Sequence, residues 1–189
     1  MVHQFQTLGQ AEKLPPRVDY YLQLVGEPAM GIKFRDGRLE IKRRIAEYGE
    51  VQIQHETAGV LEGWRKWSLI LDAHDVALDE SGNDISPWLP IRKTRLLLRF
   101  AVVGDRRFLF PGPLRPERGC EIELTGVDVG ARQWWTLALE AYGPNSSVKA
   151  DLMAIARQFF EGEAAPSLEA IDSYGYPEWL GCLSGFLGE

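Results

Sequence analysis

The sequence predicts a mainly β fold of the α+β type. The expected form is an antiparallel sheet of about eight strands, curled into a closed or nearly closed barrel, with a C-terminal helix packed outside. Three observations predict it. Strand-like runs rich in β-branched and aromatic residues fill most of the first 145 positions. Short Gly, Pro and Asp-Gly turn signals separate them. The clearest helical period comes only after those strands, so there is no βαβ alternation to build a parallel sheet.

The elements follow in order. "HQFQTL" is short and alternates roughly, which suits a strand. "RVDYYLQLV" is rich in β-formers, with Pro15 and Pro16 before it and Gly26–Pro28 after it. "GIKFR" and "RLEIKRRIAEY" flank Asp36–Gly37, a dipeptide that suits a two-residue hairpin because both residues tolerate positive φ. "GWRKWSLIL" reads as a strand and "HDVALDESGNDISP" as a loop. "WLPIRKTRLLLRFAVV" is a long strand that "GDRR" turns into "RFLFPG". After the Pro-rich punctuation of "PGPLRPERG" come two more strands, "CEIELTGVDV" and "QWWTLALEAYG". In "SSVKADLMAIARQFFEG" the apolar Val148, Leu152, Ile155, Ala156 and Phe159 recur at helical spacing. Asn145 or Ser146 is its expected cap and Gly162 its expected end. The tail holds Tyr174, Tyr176, Trp179, Leu180 and Phe186, too apolar for a solvated end, so residues 163–189 are expected to dock on a single domain spanning 1–189.

The chain has 189 residues, 27 acidic and 21 basic. Six of the acids, Glu161, Glu163, Glu169, Asp172, Glu178 and Glu189, fall in residues 161–189, where there is no Lys or Arg. Residues 1–160 are therefore balanced, and the tail carries the net charge of −6. That balance argues against a general nucleic-acid binder, which would carry a basic surplus. A local cationic cluster in a neutral body fits a small anionic ligand better. No run approaches the length of a membrane span, and the first residues do not read as a secretory signal. Cys120 and Cys182, two and far apart, make neither a disulfide framework nor a Cys-x-x-Cys metal site, so a cytoplasmic setting is expected.

Residues two apart in a strand share a face. Lys33 and Arg35 therefore share one, and so do Glu40, Lys42 and Arg44 on the returning strand. Lys93, Arg95 and Arg99 share a face with Leu97; Glu121 and Glu123 share another; Thr136, Ala138 and Glu140 a third. An antiparallel sheet with one wet face would explain each strand taken alone. Ionic residues confined to one face on four strands also fit a barrel with its polar face inward. Such a cavity would need water, internal ion pairs or a bound polyanion, because unpaired buried charge is costly.

"DYYLQLVGEPAMGIKFRDGRLEIKRR", "PIRKTRLLLRF" and "GCEIELTG" together resemble the CYTH-type proteins, the triphosphate tunnel metalloenzymes. The resemblance covers roughly residues 1–145. It implies a charged tunnel of about eight antiparallel strands that binds a polyphosphate or organic triphosphate. Lys33, Arg35, Lys42, Arg44, Lys93 and Arg95 would then be phosphate ligands. Glu121 and Glu123, with Glu140, would hold Mg²⁺ or Mn²⁺, and triphosphate hydrolysis would be the expected activity. Gln4 and Gln6 stand where the family's N-terminal Glu-x-Glu-x-Lys strand has its glutamates. A non-catalytic barrel that binds an anionic ligand or a protein partner is the alternative, and a homo-oligomer stays open.

Other groups carry less. His3, His55 and His74 show no metal spacing. The six tryptophans read as packing residues, and Arg115, Glu117 and Arg118 as solvated turn residues. Ser146 and Ser147 read as helix caps. Glu56, Glu62 and Asp72 have no register to place them. No nucleophile elbow, phosphate-binding loop or dinucleotide fingerprint is present.

Overall fold

The computed structural model describes Phe5 and residues 11–71, 87–112, 114–161 and 166–187. It contains strands β1 (Glu12–Leu22), β2 (Met30–Arg35), β3 (Arg38–Gln54), β4 (Thr57–Ile70), β5 (Trp88–Val103), β6 (Arg106–Leu109), β7 (Gly119–Val129) and β8 (Arg132–Tyr142). Helix α1 (Asn145–Phe159), a 3₁₀ turn (Ala170–Asp172) and helix α2 (Tyr176–Leu187) follow. The strands form one mainly antiparallel sheet in the order β4-β3-β2-β1-β5-β7-β8, with β6 on β5. Among the described residues no ladder joins β4 to β8, the two ends of that path.

Local sequence explains the registers. Asp36 and Gly37 both take positive φ, 49° and 71°, and close the β2–β3 hairpin with Arg35 opposite Arg38. From there Lys33 faces Glu40 and Gly31 faces Lys42. On the other side of β2, Tyr20 pairs with Phe34 and Tyr21 with Lys33. Pro15 and Pro16, read as a boundary, lie inside β1 instead. Continuing the Tyr20–Phe34 register carries both prolines past Arg35, the end of β2, so no ladder bond on that side needs their missing N–H.

Other boundaries differ from expectation. Phe5, in the expected strand "HQFQTL", is helical and buried; Gln4 and Gln6 lie outside the described residues. β4 starts at Thr57, before "GWRKWSLIL", because His55 and Glu56 make the turn from β3. Most of the loop expected at 74–87 falls in 72–86, outside the described residues, as does Asp72. α1 starts after Pro144, which takes the N-cap position expected of Asn145 or Ser146 and makes no side-chain cap hydrogen bond. The extended φ and ψ of Pro144 set the start, and its carbonyl accepts from the Ser147 N–H and hydroxyl. The helix closes at Phe160, before Gly162, which lies outside the described residues.

By its internal contacts the chain divides into two compact units. The first comprises residues 1–17, 52–58 and 93–169; the second 18–51, 59–92 and 170–189. The first is built on hydrocarbon. The even-numbered side of β5 (Leu98, Phe100, Val102) joins Cys120 and Ile122 of β7 and meets Ile155, Phe159 and Phe160, with Phe5 against Phe159. These residues recur at period 2 in the strands and at i, i+4 in the helix, so one face of each element is apolar. The approach of β7 to β5 is close: a Cβ at Gly119 would lie 2.1 Å from the Phe100 carbonyl oxygen.

The second unit is built differently. Its buried residues include Asp19 and Glu40 beside Tyr21, Leu61, Ile91, Leu180 and Leu183. Its C-terminal segment makes several local contacts, among them these. Ser173 Oγ accepts the Val60 N–H at 2.9 Å, Tyr176 stacks on Tyr21, and Pro177 lies against Gly31. Among the described residues no helix is long and apolar enough to cross a membrane.

Candidate functional site

The ionic residues singled out in the sequence sit in two networks, one per unit. In the second unit the β2–β3 register sets Lys33 beside Glu40, and β1 brings Asp19 to the same face. Lys33 Nζ lies 3.0 Å from Glu40 and 3.5 Å from Asp19. Arg35 donates to Glu40 at 3.0 Å and approaches Asp19 at 4.0 Å. Lys66 of β4 donates to Glu40 at 2.9 Å. Three cations thus surround two buried carboxylates, and exposed Asp36 lies 3.8 Å from Arg35 as a third.

Burial pushes the Lys33 ammonium below its ordinary value, although Asp19 and Glu40 both draw it up. Burial alone would raise the Glu40 carboxyl. Hydrogen bonds from Lys66 and Lys33, with the charges of Lys33 and Arg35, outweigh it and hold Glu40 at about 2. Glu40 is therefore the fixed anion of the cluster, and Lys33 is a buried cation whose charge burial disfavours.

One step along β3, half-buried Lys42 stands opposite Gly31. Arg44 follows on the same face. It reaches Glu62 at 2.5 Å, Glu47 at 3.0 Å and Glu178 of α2 at 3.9 Å. Glu62 also accepts from the Trp64 indole at 2.9 Å. Of the carboxylates without a register in the sequence, Glu62 joins the network and Glu56 lies exposed in the turn before β4.

In the first unit the charges stand on the odd-numbered side of β5, opposite the side that packs on α1. Lys93 is 3% exposed, which makes it the most enclosed of the expected phosphate ligands. Arg95 pairs with Glu123 at 3.4 Å, and Thr125 donates to Glu123 at 2.8 Å. Arg99 donates to Glu121 at 2.8 Å and lies 3.8 Å from Glu12. Glu121 and Glu140 are direct partners in the β7–β8 register, while Glu123 faces Ala138. Arg115 bridges the first two, 3.7 Å from Glu121 and 3.0 Å from Glu140, and lies over the Tyr142 ring at 3.6 Å.

The structure therefore gathers Lys33 with Arg35, aligns Lys42 with Arg44, and sets Glu121 opposite Glu140. It does not assemble the three glutamates around a common point. Among the described residues no three His, Cys, Asp or Glu side chains form a group fit to hold a metal ion. Each of these carboxylates is engaged by an arginine. The set as it stands does not fit Mg²⁺ or Mn²⁺ unless Arg95, Arg99 and Arg115 release their partners.

Sequence reasoning missed several participants. Asp19 sits two residues before Tyr21, so alternation places those two on one face, and the Tyr21–Lys33 register brings Asp19 to the Lys33 side. Lys66 had a strand but no register. Arg115 and Arg118, read as solvated, are both engaged: Arg118 holds buried Asp151 of α1 through two hydrogen bonds, at 2.7 and 2.9 Å. The tryptophans are mixed, since Trp67 and Trp135 are about half exposed. Cys120 is an inert thiol, pushed up to about 12 by burial first and neighbouring carboxylates second. No protein-family model matches this chain, and no curated protein matches it significantly.

Proposed function

We propose that the chain binds a polyphosphate-containing or other anionic small molecule through the cationic face of β2 and β3, in a sheet that closes or nearly closes in the CYTH manner. The observation that carries this reading is the Lys33 cluster. Lys33, Arg35 and Lys66 gather there on Asp19 and Glu40, with exposed Asp36 3.8 Å from Arg35, and burial disfavours the Lys33 charge. A phosphate oxygen beside Lys33 and Arg35 would favour the charged form of Lys33, in an environment where a charge-assisted bond is strong. Lys42 and Arg44 extend the cationic row along β3, at a spacing suited to successive anionic groups of one ligand.

Binding without turnover is the form of the reading that the donor set favours. Phosphoryl transfer needs charge neutralisation at the transferred group, and the carboxylates expected to hold a metal for it are held by arginines. No catalytic step is therefore assigned to Glu121, Glu123 or Glu140. The test has two arms. Tripolyphosphate at about 100 times its Kd should stabilise the chain by about 2.7 kcal/mol, read as a rise in melting temperature. No rise at any concentration refutes the binding reading. Phosphate release from tripolyphosphate with Mg²⁺ or Mn²⁺ would overturn the non-catalytic form and restore the hydrolase expectation.

A further inference from the structure

We infer that the segment from Ser173 through the start of α2 is a gate over the cationic row, with Glu178 occupying the place of a ligand anion at Arg44. This inference rests on the anion-binding reading and concerns regulation of that same face.

Strand geometry puts the gate on the right side. Gly31 shares a face with Lys33 and Arg35 and stands opposite Lys42. A Cβ on Gly31 would meet Pro177 Cγ at 3.0 Å, so Pro177 rests on that face. Tyr21, the register partner of Lys33, stacks on Tyr176 with ring centroids 5.4 Å apart. The Lys33 ammonium lies 5.9 Å from the centre of the Tyr21 ring. On β4, a Cβ at Gly175 would fall 2.9 Å from the Trp64 ring. The start of α2 thus covers the row beside Lys33, and its Glu178 turns toward Arg44 at 3.9 Å.

The contacts differ in strength. Arg44 is held by Glu62 at 2.5 Å and by exposed Glu47 at 3.0 Å, and more loosely by the half-exposed Glu178 at 3.9 Å. An exposed carboxylate at that distance contributes little, so a polyanion arriving at Lys42 and Arg44 displaces it at small cost. The stacking of Tyr176 on Tyr21 and the burial of Leu180 and Leu183 hold the gate shut when no ligand is present. Binding and gate opening are then linked: whatever loosens α2 tightens binding.

The experiment is calorimetric titration of tripolyphosphate into the full chain at low salt, on wild type, Glu178→Gln, Gly31→Ala and Glu50→Gln. Amide exchange across residues 176–183 is measured with and without ligand. Glu178→Gln is isosteric, and Gly31→Ala pushes on Pro177 without altering charge. Each should tighten binding about three- to tenfold, and α2 amides of the wild type should exchange faster when ligand is bound. Glu50→Gln removes the same charge from an exposed position of β3 and should change binding less than twofold. Wild-type binding that neither gate variant improves, an equal gain in Glu50→Gln, or slower exchange of α2 on binding overturns the gate and leaves the anion site standing. No binding by any of the four chains overturns both.

Discussion

The unit that contains α1 packs a large hydrocarbon cluster and buries Lys93 and Asp151 besides, whereas the unit that contains α2 gathers its buried charges, Asp19 and Glu40, in one ion cluster. In the first, Leu98, Phe100, Ile122, Ile155 and Phe159 close a core on one side of the strands. In the second, Asp19 and Glu40 are buried with Lys33 and Arg35 packed against them. The two kinds of interior respond to different perturbations. Apolar burial is non-directional and indifferent to pH. A buried ion cluster loses its balance when one member is protonated or removed, and it can accept an additional charge. Under the anion-binding proposal, the ligand-responsive site lies in the second of these interiors.

The strongest test of this contrast is to damage the hydrocarbon core. Phe159 is buried edge-on to both Phe5 and Phe160. Phe159→Ala should cost about 3–5 kcal/mol in denaturant unfolding, and the loss should be the same from about pH 5 to pH 8. A pH-dependent loss would break the contrast.

Glu40→Gln is the matching damage to the second unit. It leaves Lys33, Arg35 and Lys66 without their shared carboxylate and should cost about 3 kcal/mol at neutral pH. The sign of the pH dependence follows from Glu40 itself. Its folded value, about 2, lies below the ordinary 4.5, so the unfolded chain takes up the proton first. The stabilisation is complete above about pH 4.5 and is lost as pH falls toward 2, a change on the order of 3 kcal/mol. Urea unfolding at stepped pH should show this acid limb in wild type and a flatter one in Glu40→Gln. An unchanged limb would assign the acid sensitivity to other carboxylates.

The same contrast explains what was legible in the sequence. Period-2 alternation placed Lys33, Arg35, Lys42, Arg44, Lys93 and Arg95 on their faces, and Asp36–Gly37 fixed the first hairpin, because both signals are local. The pairing of charges is not local. Glu40 meets Lys66 across 26 positions and Arg118 meets Asp151 across 33, and nothing along the chain specifies those separations. The glutamates of β7 and β8 show the limit most clearly. The sequence puts Glu121 and Glu123 on one face, but the partner of each is set by where Arg95, Arg99 and Arg115 arrive. The cap of α1 was missed for a different reason: Pro144 sets the backbone geometry, so the polar residues beside it are not needed.

Gly119→Ala probes how closely β7 and β5 must approach in the first unit. The added methyl would meet the Phe100 carbonyl, a backbone atom that moves only with its strand. A loss of about 1–3 kcal/mol is expected, with the acid limb assigned to Glu40 intact. A shift in that limb would mean that the two interiors are not independent in energy.

The smallest effect sharpens the comparison most, because it separates distance from burial at a single arginine. Arg44 meets Glu47 at 3.0 Å and Glu62 at 2.5 Å, but Glu47 is 66% exposed and Glu62 only 11%. Water screens the first pair and leaves its side chain free to move, so Glu47→Gln should change stability by less than about 0.5 kcal/mol. Glu62 also accepts the Trp64 indole proton, and Glu62→Gln disturbs both bonds in a half-buried setting. It should cost about 1–3 kcal/mol. Unfolding of the two variants side by side reads the difference directly. Equal losses would mean that contact distance, not burial, sets the worth of the charges in this unit, and the cationic row would then be an ordinary solvated face.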